Sequence, residues 1–418
     1  MRTLGPMSST WRYVSILLGL AVTVAAVDAQ DWPQLLGENR NGHYVGPPVD
    51  VSWDGGSPPE LWRRAVGAGF AGPVVSGDRL ILFHRLDRRE VVEALETANG
   101  ETVWRHEYPT SYRDDFGFDE GPRSVPVVAD GRVFTFGAQG MLRALDLETG
   151  DLVWSVDTRA EFRFRKGFFG AAGSPLVSAG RVIANVGGPD AGIVAFDAAT
   201  GDQLWAAIDD EASYSSGVEA DFDGVPHVVF FTRNLLVGLD PSNGEVRFRE
   251  PWRARLRASV NAATPVVVDD AVFVSAEYGP GAGVFRVQPE GALEEVWRSN
   301  DVLSNHYATS VHRDGTLYGF HGRQEYGQSF RAVDLLTGDV HWSLDQFGAG
   351  TVLFAGDRLV VMRESGELLI ADASPDGMTE LASGRVLPAV VRAYPALAHG
   401  RLYVRNGDTL VCLDLRAP

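Results

Sequence analysis

The stretch MLRALDLETGDLVW, residues 141–154, decides the fold, because the chain repeats it. Ungapped copies are VVEALETANGETVW at 91–104, GIVAFDAATGDQLW at 192–205 and SFRAVDLLTGDVHW at 329–342. A fifth, LLVGLDPSNGEVRF at 235–248, keeps Asp240 and Gly244 but has Phe in place of Trp. A looser copy ends at Trp297, another surrounds Asp372 and Gly377, and a half-copy runs over 410–415. In each, apolar residues alternate up to an acidic residue, which reads as a strand. The turn that follows ends on Gly, where Asp can bond its own backbone and Gly supplies a positive φ. A second strand then ends on an aromatic residue. The glycines at 100, 150, 201, 244, 338 and 377 lie 50, 51, 43, 94 and 39 residues apart, the 94 spanning two periods. A period of about 47 residues suits a four-stranded propeller blade.

Ahead of each motif stands a second hairpin, as in PVVSGDRLILF at 73–83 and PVVADGRVFTF at 126–136. Counting these hairpins gives eight blades, starting near residues 71, 124, 173, 214, 263, 308, 350 and 393. The eighth lacks an outer strand. LWRRAV at 61–66 stands unpaired before the first blade and ends like an outer strand. The expectation is an all-β, eight-bladed propeller of antiparallel blades, its ring closed by N- and C-terminal segments. Gly100, Gly150, Gly201 and Gly338 read as turn residues. Trp104, Trp154, Trp205, Trp297 and Trp342 read as flat apolar surfaces packed between neighbouring blades.

Composition agrees. The chain is 45% hydrophobic and 22% charged, with 47 Gly and 22 Pro, which suits many turns around a large core. Lys+Arg 37 against Asp+Glu 55 gives a net charge of −18. That removes nucleic acid and anionic membranes as partners, since both require a basic face. Cys412 is the only cysteine, so an intramolecular disulfide, a Cys-rich zinc site and a C-x-x-C-H haem attachment are excluded.

Residues 1–29 read as a secretory signal, with Arg2 and Arg12, the apolar run 14–27, and small residues before Gln30. The run is short for a membrane span. The expected organisation is a signal at 1–29, a leader at 30–57 and the propeller over 58–418. The expected location is periplasmic or secreted, with no membrane span in the mature form, as a monomer.

The repeat Ala-hydrophobe-Asp-x-x-Thr-Gly-x-x-x-Trp resembles that of pyrroloquinoline-quinone-like (PQQ-like) β-propellers, over about residues 58–418. That group includes quinoprotein alcohol dehydrogenases and the outer-membrane assembly lipoprotein BamB. The opening DWPQLLG at 31–37 is similar to the leader of secreted bacterial members. The dehydrogenases carry a vicinal disulfide against the quinone, and BamB an N-terminal lipid-bearing Cys. Neither cysteine feature is present here.

In such blades the start of the innermost strand and the end of its neighbour share one face, the mouth of the central channel. Arg123, Lys166, Arg233, Asn261, Arg323, Arg363 and Arg392 are expected there as a ligand-binding funnel suited to an anionic small ligand, or else, with the carboxylates of the same loops, as a ring of mutual salt bridges stiffening the funnel. His306 and His321, placed at one end of one blade, are the candidate catalytic pair, either able to act as a general base. Asn261 and Glu277 have the residue types that a quinone-bound Ca²⁺ requires. The acidic insertion DDFGFDEG, 114–121, does not match the EF-hand pattern and reads as a loop capping the funnel. No nucleophile elbow, P-loop or dinucleotide fingerprint occurs.

Three functions follow. The first is a binding or scaffold module for a small anionic ligand or an exported protein partner. The second is a divergent quinoprotein dehydrogenase, for which the resemblance implies PQQ and Ca²⁺ as cofactors. The third is a BamB-like assembly scaffold.

Overall fold

The computed structural model describes residues 1, 30–53, 56–253, 261–289 and 291–417. The signal expected at 1–29 lies outside the described residues. Seven sheets are four-stranded and one carries a fifth strand, together forming an eight-bladed ring. Blade 1 comprises Val74–Ser76, Arg79–Leu86, Arg89–Glu96 and Thr102–Pro109, ordered outward from the axis. Blades 2 to 7 repeat this meander. Most innermost strands are short, three residues in Val127–Ala129, Leu176–Ser178 and Val311–Arg313, while those of blades 4 and 7, Val218–Phe222 and Gly350–Ala355, are longer. Among the described residues no helix is long and apolar enough to cross a membrane.

The eighth blade closes as the sequence implied. Ala396–Ala398, Arg401–Arg405 and Thr409–Asp414 supply three strands, and Glu60–Ala65 adds the fourth. The added strand runs antiparallel, with Trp62 opposite Cys412 and Arg64 opposite Leu410. Closure completes the eighth blade, so each blade presents one outer edge strand.

The repeat acts across blades. Trp104 donates its indole N–H to Leu147 O at 2.8 Å, and Trp154 to Ala198 O at 3.0 Å. Trp205, Trp297 and Trp342 do the same to Pro241, Leu335 and Ser374. Trp62 makes the bond that closes the ring, to Thr97 O at 3.0 Å. Each acceptor belongs to the outer turn of the following blade. A methyl group on Gly100, Gly150, Gly201, Gly244 or Gly338 would stand 3.0 Å or less from the preceding blade's tryptophan. These glycines therefore serve two needs, a positive φ (74° at Gly150) and room for an indole. Phe248 breaks the series because it has no N–H to donate. At that joint Trp252, 1% exposed, packs edge-on to Phe231 and Phe285, and the Arg298 guanidinium lies 4.4 Å over its ring.

The leader is structured, which its Gly- and Pro-rich sequence did not disclose. Trp32 exchanges backbone hydrogen bonds with Val75 at 3.0 and 2.8 Å, and Val128 donates to Pro33 O at 2.8 Å. Arg40, 4% exposed, donates to Gly217 O at 2.8 Å and to Pro175 O. His43–Tyr44 pairs parallel with Gly350–Ala355 as the fifth strand of blade 7. Trp32, Leu36, Tyr44 and Val49 are buried. The segment thus threads the axis and touches inner strands around the ring.

Candidate functional site

A cavity of about 480 Å³ occupies the mouth of the channel, on the face where innermost strands begin. Leu35 of the leader lines it, so the threaded segment supplies its floor. Eight of its lining residues are Phe or Tyr: Phe70, Phe116, Phe118, Phe169, Tyr214, Tyr278, Tyr307 and Tyr394. One wall, from blades 1 to 3, is mostly apolar, with Val125 and Ala172 beside the four phenylalanines and Arg123 and Ser174 among them. The facing wall, from blades 5 and 6, is polar, with Tyr278, His306, Arg323, Gln324 and Glu325.

Three of the expected cations line this cavity, and each is matched. Arg123 bonds Asp114 at 2.7 Å and lies 4.9 Å over the Phe169 ring. Arg323 pairs with Glu325 at 3.1 Å and lies 4.9 Å over Tyr278. Arg392 pairs with Glu364 at 2.6 Å and approaches Phe70 and Phe118 at 5.6 and 5.7 Å. Three guanidiniums against three carboxylates leave no excess positive charge. The arginines instead stiffen aromatic surfaces by cation–π contact. Tyrosine hydroxyls are engaged within the walls: Tyr307 donates to Glu364 at 2.7 Å, and Tyr394 accepts the Thr309 N–H at 2.6 Å.

The other expected residues lie elsewhere. Lys166 lines a separate crevice and pairs with Asp115. Arg363 bonds Glu367 and stacks 4.0 Å from Phe347, outside the cavity lining. Arg233 is buried and is not among the lining residues. Asn261 is a strut between blades 4 and 5. Its side-chain amide N–H donates to Thr232 O at 2.7 Å, and its backbone carbonyl accepts the N–H groups of Tyr214 and Ser215.

The two histidines do not form a pair at the cavity. His306 lines it and meets the Tyr278 hydroxyl through Nε2 at 2.9 Å. Burial lowers its pKa, so the ring is neutral at pH 7. His321 accepts the Ser304 N–H on Nδ1 at 3.0 Å and is held at about 4, chiefly by burial. It is outside the lining. The Nε2 of His306 is taken by Tyr278 and its Nδ1 is buried in the wall, so His306 can act on a ligand by positioning the Tyr278 hydroxyl.

The acidic insertion caps the funnel. Asp114 and Asp115 pair with Arg123 and Lys166; Asp119 accepts the N–H of Gly121 at 2.6 Å, and Glu120 pairs with Arg113 at 2.8 Å. The insertion carries Phe116 and Phe118, 54% and 58% exposed, stacked 5.9 Å apart and set against Phe169. Phe70, Phe116, Phe118, Leu35 and Gln324 were not foreseen as lining residues. The alternation Phe116-Gly117-Phe118 within an acidic run was the available signal.

Quinone and calcium require a donor set that is not assembled here. Asn261 is engaged with backbone, and Glu277, its carboxyl raised by burial, does not line the cavity. Among the described residues no group of three or more His, Cys, Asp or Glu could hold a metal ion. Cys412, the lone cysteine, is buried in blade 8. The residues do not fit the group, and no reaction step is derived through it.

Comparison with known proteins places this site in context. The family model described as "Outer membrane protein assembly factor BamB" matches residues 88–343. A BamB from Yersinia pestis is 23% identical over 287 residues, 66% of this chain and 70% of that protein. The quinohemoprotein alcohol dehydrogenase ADH-IIG of Pseudomonas putida is 36% identical over 122 residues, but the match spans only 16% of its length. Among solved structures, BamB from Moraxella catarrhalis superposes with a TM-score of 0.62 at 16% identity, covering 86% of this chain and 98% of that one. Quinohemoprotein alcohol dehydrogenase from Comamonas testosteroni gives 0.66 at 15% identity, covering 94% and 82%. At these identities the structures share the fold.

Proposed function

We propose, for a chain that belongs to the family described as outer membrane protein assembly factor BamB, that it is an exported, non-catalytic binding module whose funnel holds a small ligand. The observation that carries this is the two-walled cavity, aromatic on one side and hydrogen-bonding on the other. The charge balance of its arginines favours a flat apolar body with an uncharged or zwitterionic polar head over a polyanion. Ring faces bind such a body by stacking. Gln324, His306 and Tyr278 are placed to orient the head. Export rests on the signal pattern of residues 1–29.

A thermal-shift titration tests this. Flat aromatic compounds with an uncharged polar head are expected to raise the melting temperature saturably. PQQ is expected to show no Ca²⁺-dependent shift. A Ca²⁺-dependent, saturable shift with PQQ would instead make the chain a quinoprotein. His306→Ala is expected to cost little stability, about 1 kcal/mol for one hydrogen bond, while weakening ligand binding about tenfold. A large loss of melting temperature in this variant would make His306 a structural residue.

The family match favours a second reading, that the chain is a scaffold for protein assembly. In that case cross-linking in cells would give discrete protein adducts.

A further inference from the structure

A second cavity lies outside the funnel, between the connection after blade 1 and the segment after blade 2. Its volume is about 240 Å³. Arg113, Arg159 and Lys166 line it and no carboxylate does. That is against the character of a chain with 55 acidic and 37 basic residues. Lys166 is the only lysine in the sequence.

The cations differ in how they are held. Arg113 pairs with Glu120 and is 78% exposed. The Lys166 ammonium donates to Arg113 O and to Asp115. The Arg159 guanidinium has no hydrogen bond or ion pair among the described residues. A neighbouring crevice shares Gln139 and Arg159 and is lined by Glu90 and Asp157. Both carboxylates have other partners. Asp157 accepts the Ala160 N–H at 3.0 Å as a helix cap, and Glu90, 1% exposed, accepts the Ala138 N–H at 2.9 Å.

The backbone of Arg159 is fixed in place, and its side chain is exposed. It sits in the short helix Thr158–Phe162, which Thr158 ties to blade 2 through Gly140 O, at 3.0 Å from its N–H and 2.7 Å from its hydroxyl. The remaining polar lining is Ser111 and Gln139, which hydrogen-bond each other, and Tyr112, whose hydroxyl accepts from Arg123 at 3.3 Å and whose ring lies 5.3 Å from the Lys166 ammonium. Two guanidiniums, an ammonium, a hydroxyl and an amide make a wall dominated by donors.

We propose that this crevice binds a compact oxyanion, a phosphate or a carboxylate, held by Arg159 and Lys166. The planar guanidinium matches two oxygens side by side, and the ammonium adds a point charge. The occupant competes with Asp115 for Lys166. The crevice is a separate cavity from the funnel, and Asp115 and Glu120 of the capping insertion lie between the two.

The single lysine makes the test direct. Acylation of Lys166 by a succinimidyl ester is followed by peptide mass spectrometry in sodium phosphate, acetate or chloride at matched ionic strength. Phosphate, acetate or both are expected to slow Lys166 acylation saturably relative to chloride, and the protecting ion identifies the oxyanion. Arg159→Ala, an exposed substitution, is expected to raise the half-protection concentration about tenfold, the worth of one charged hydrogen bond. Asp115→Asn is expected to lower it. Equal rates in all three salts would overturn the proposal, as would protection that survives Arg159→Ala in a protein melting like the parent.

Discussion

Replacing Trp104 with Ala is expected to destabilise the protein by about 3–5 kcal/mol, the cost of removing a large buried aromatic side chain. The ring is 8% exposed, donates to Leu147 O in the next blade and covers Gly150. A propeller is a closed series of such joints, so one opened joint weakens the whole ring. Gly150→Ala attacks the same joint from the other side. It places a methyl against the indole and forces a non-glycine residue to φ near 74°, at a cost of about 1–2 kcal/mol for the backbone alone. The double variant is expected to lose less than the two singles combined, because the new methyl enters space the indole has left. Urea unfolding of the four proteins measures this. Strict additivity, or a Trp104→Ala loss below about 1 kcal/mol, would remove the indole–glycine latch from the account.

The second large effect is expected at Glu93. This carboxylate is fully buried and joins the closing strand to blade 1. Its Oε1 accepts from Thr102 at 2.7 Å, Arg105 at 2.8 Å and Arg64 at 2.9 Å, Arg64 coming from Glu60–Ala65. The His84 Nε2 stands 3.5 Å from Oε2. Burial alone would raise the Glu93 pKa, but the close His84 ring, the bonds from Thr102 and Arg105 and the charge of Arg64 outweigh it and hold it at about 2. Glu93→Ala leaves two arginines without their shared partner, and because these are 22% and 42% exposed and can turn to water, the expected loss is about 2–3 kcal/mol, below the full cost of an orphaned buried charge. A depressed carboxylate pKa gives stability that is complete above the ordinary 4.5 and disappears as pH falls through about 2. The parent is therefore expected to lose melting temperature between pH 4.5 and 2. Glu93→Gln, starting lower, should lose less over that interval. Parallel pH profiles for the two proteins would contradict the assignment.

The architecture was legible because the repeat encodes it twice, in strand alternation and in turn chemistry. The Trp–Gly spacing within one copy hid the fact that each Trp meets the glycine of the next copy. That relation belongs to the ring and not to the local sequence. The leader was not legible: Trp32, Leu36 and Tyr44 are apolar residues among glycines and prolines, and only the channel gives them a partner. The site was legible in location and less so in character. Placing Arg123, Arg323 and Arg392 at the mouth followed from blade geometry. Their carboxylate partners, Asp114, Glu325 and Glu364, are also loop residues, and loop pairing has no periodic signal. Asn261 and His321 were misleading for a related reason. Polar residues near strand ends also satisfy backbone groups between blades, and the sequence does not separate that use from ligand binding.

The most direct test is to soak crystals of the protein in flat aromatic fragments bearing an uncharged polar head and locate the bound fragments. They are expected to stack against Phe169 and Phe118 in the funnel, with the polar group toward His306 and Gln324. Fragments bound only elsewhere on the protein, with the funnel empty at the same concentrations, would contradict it.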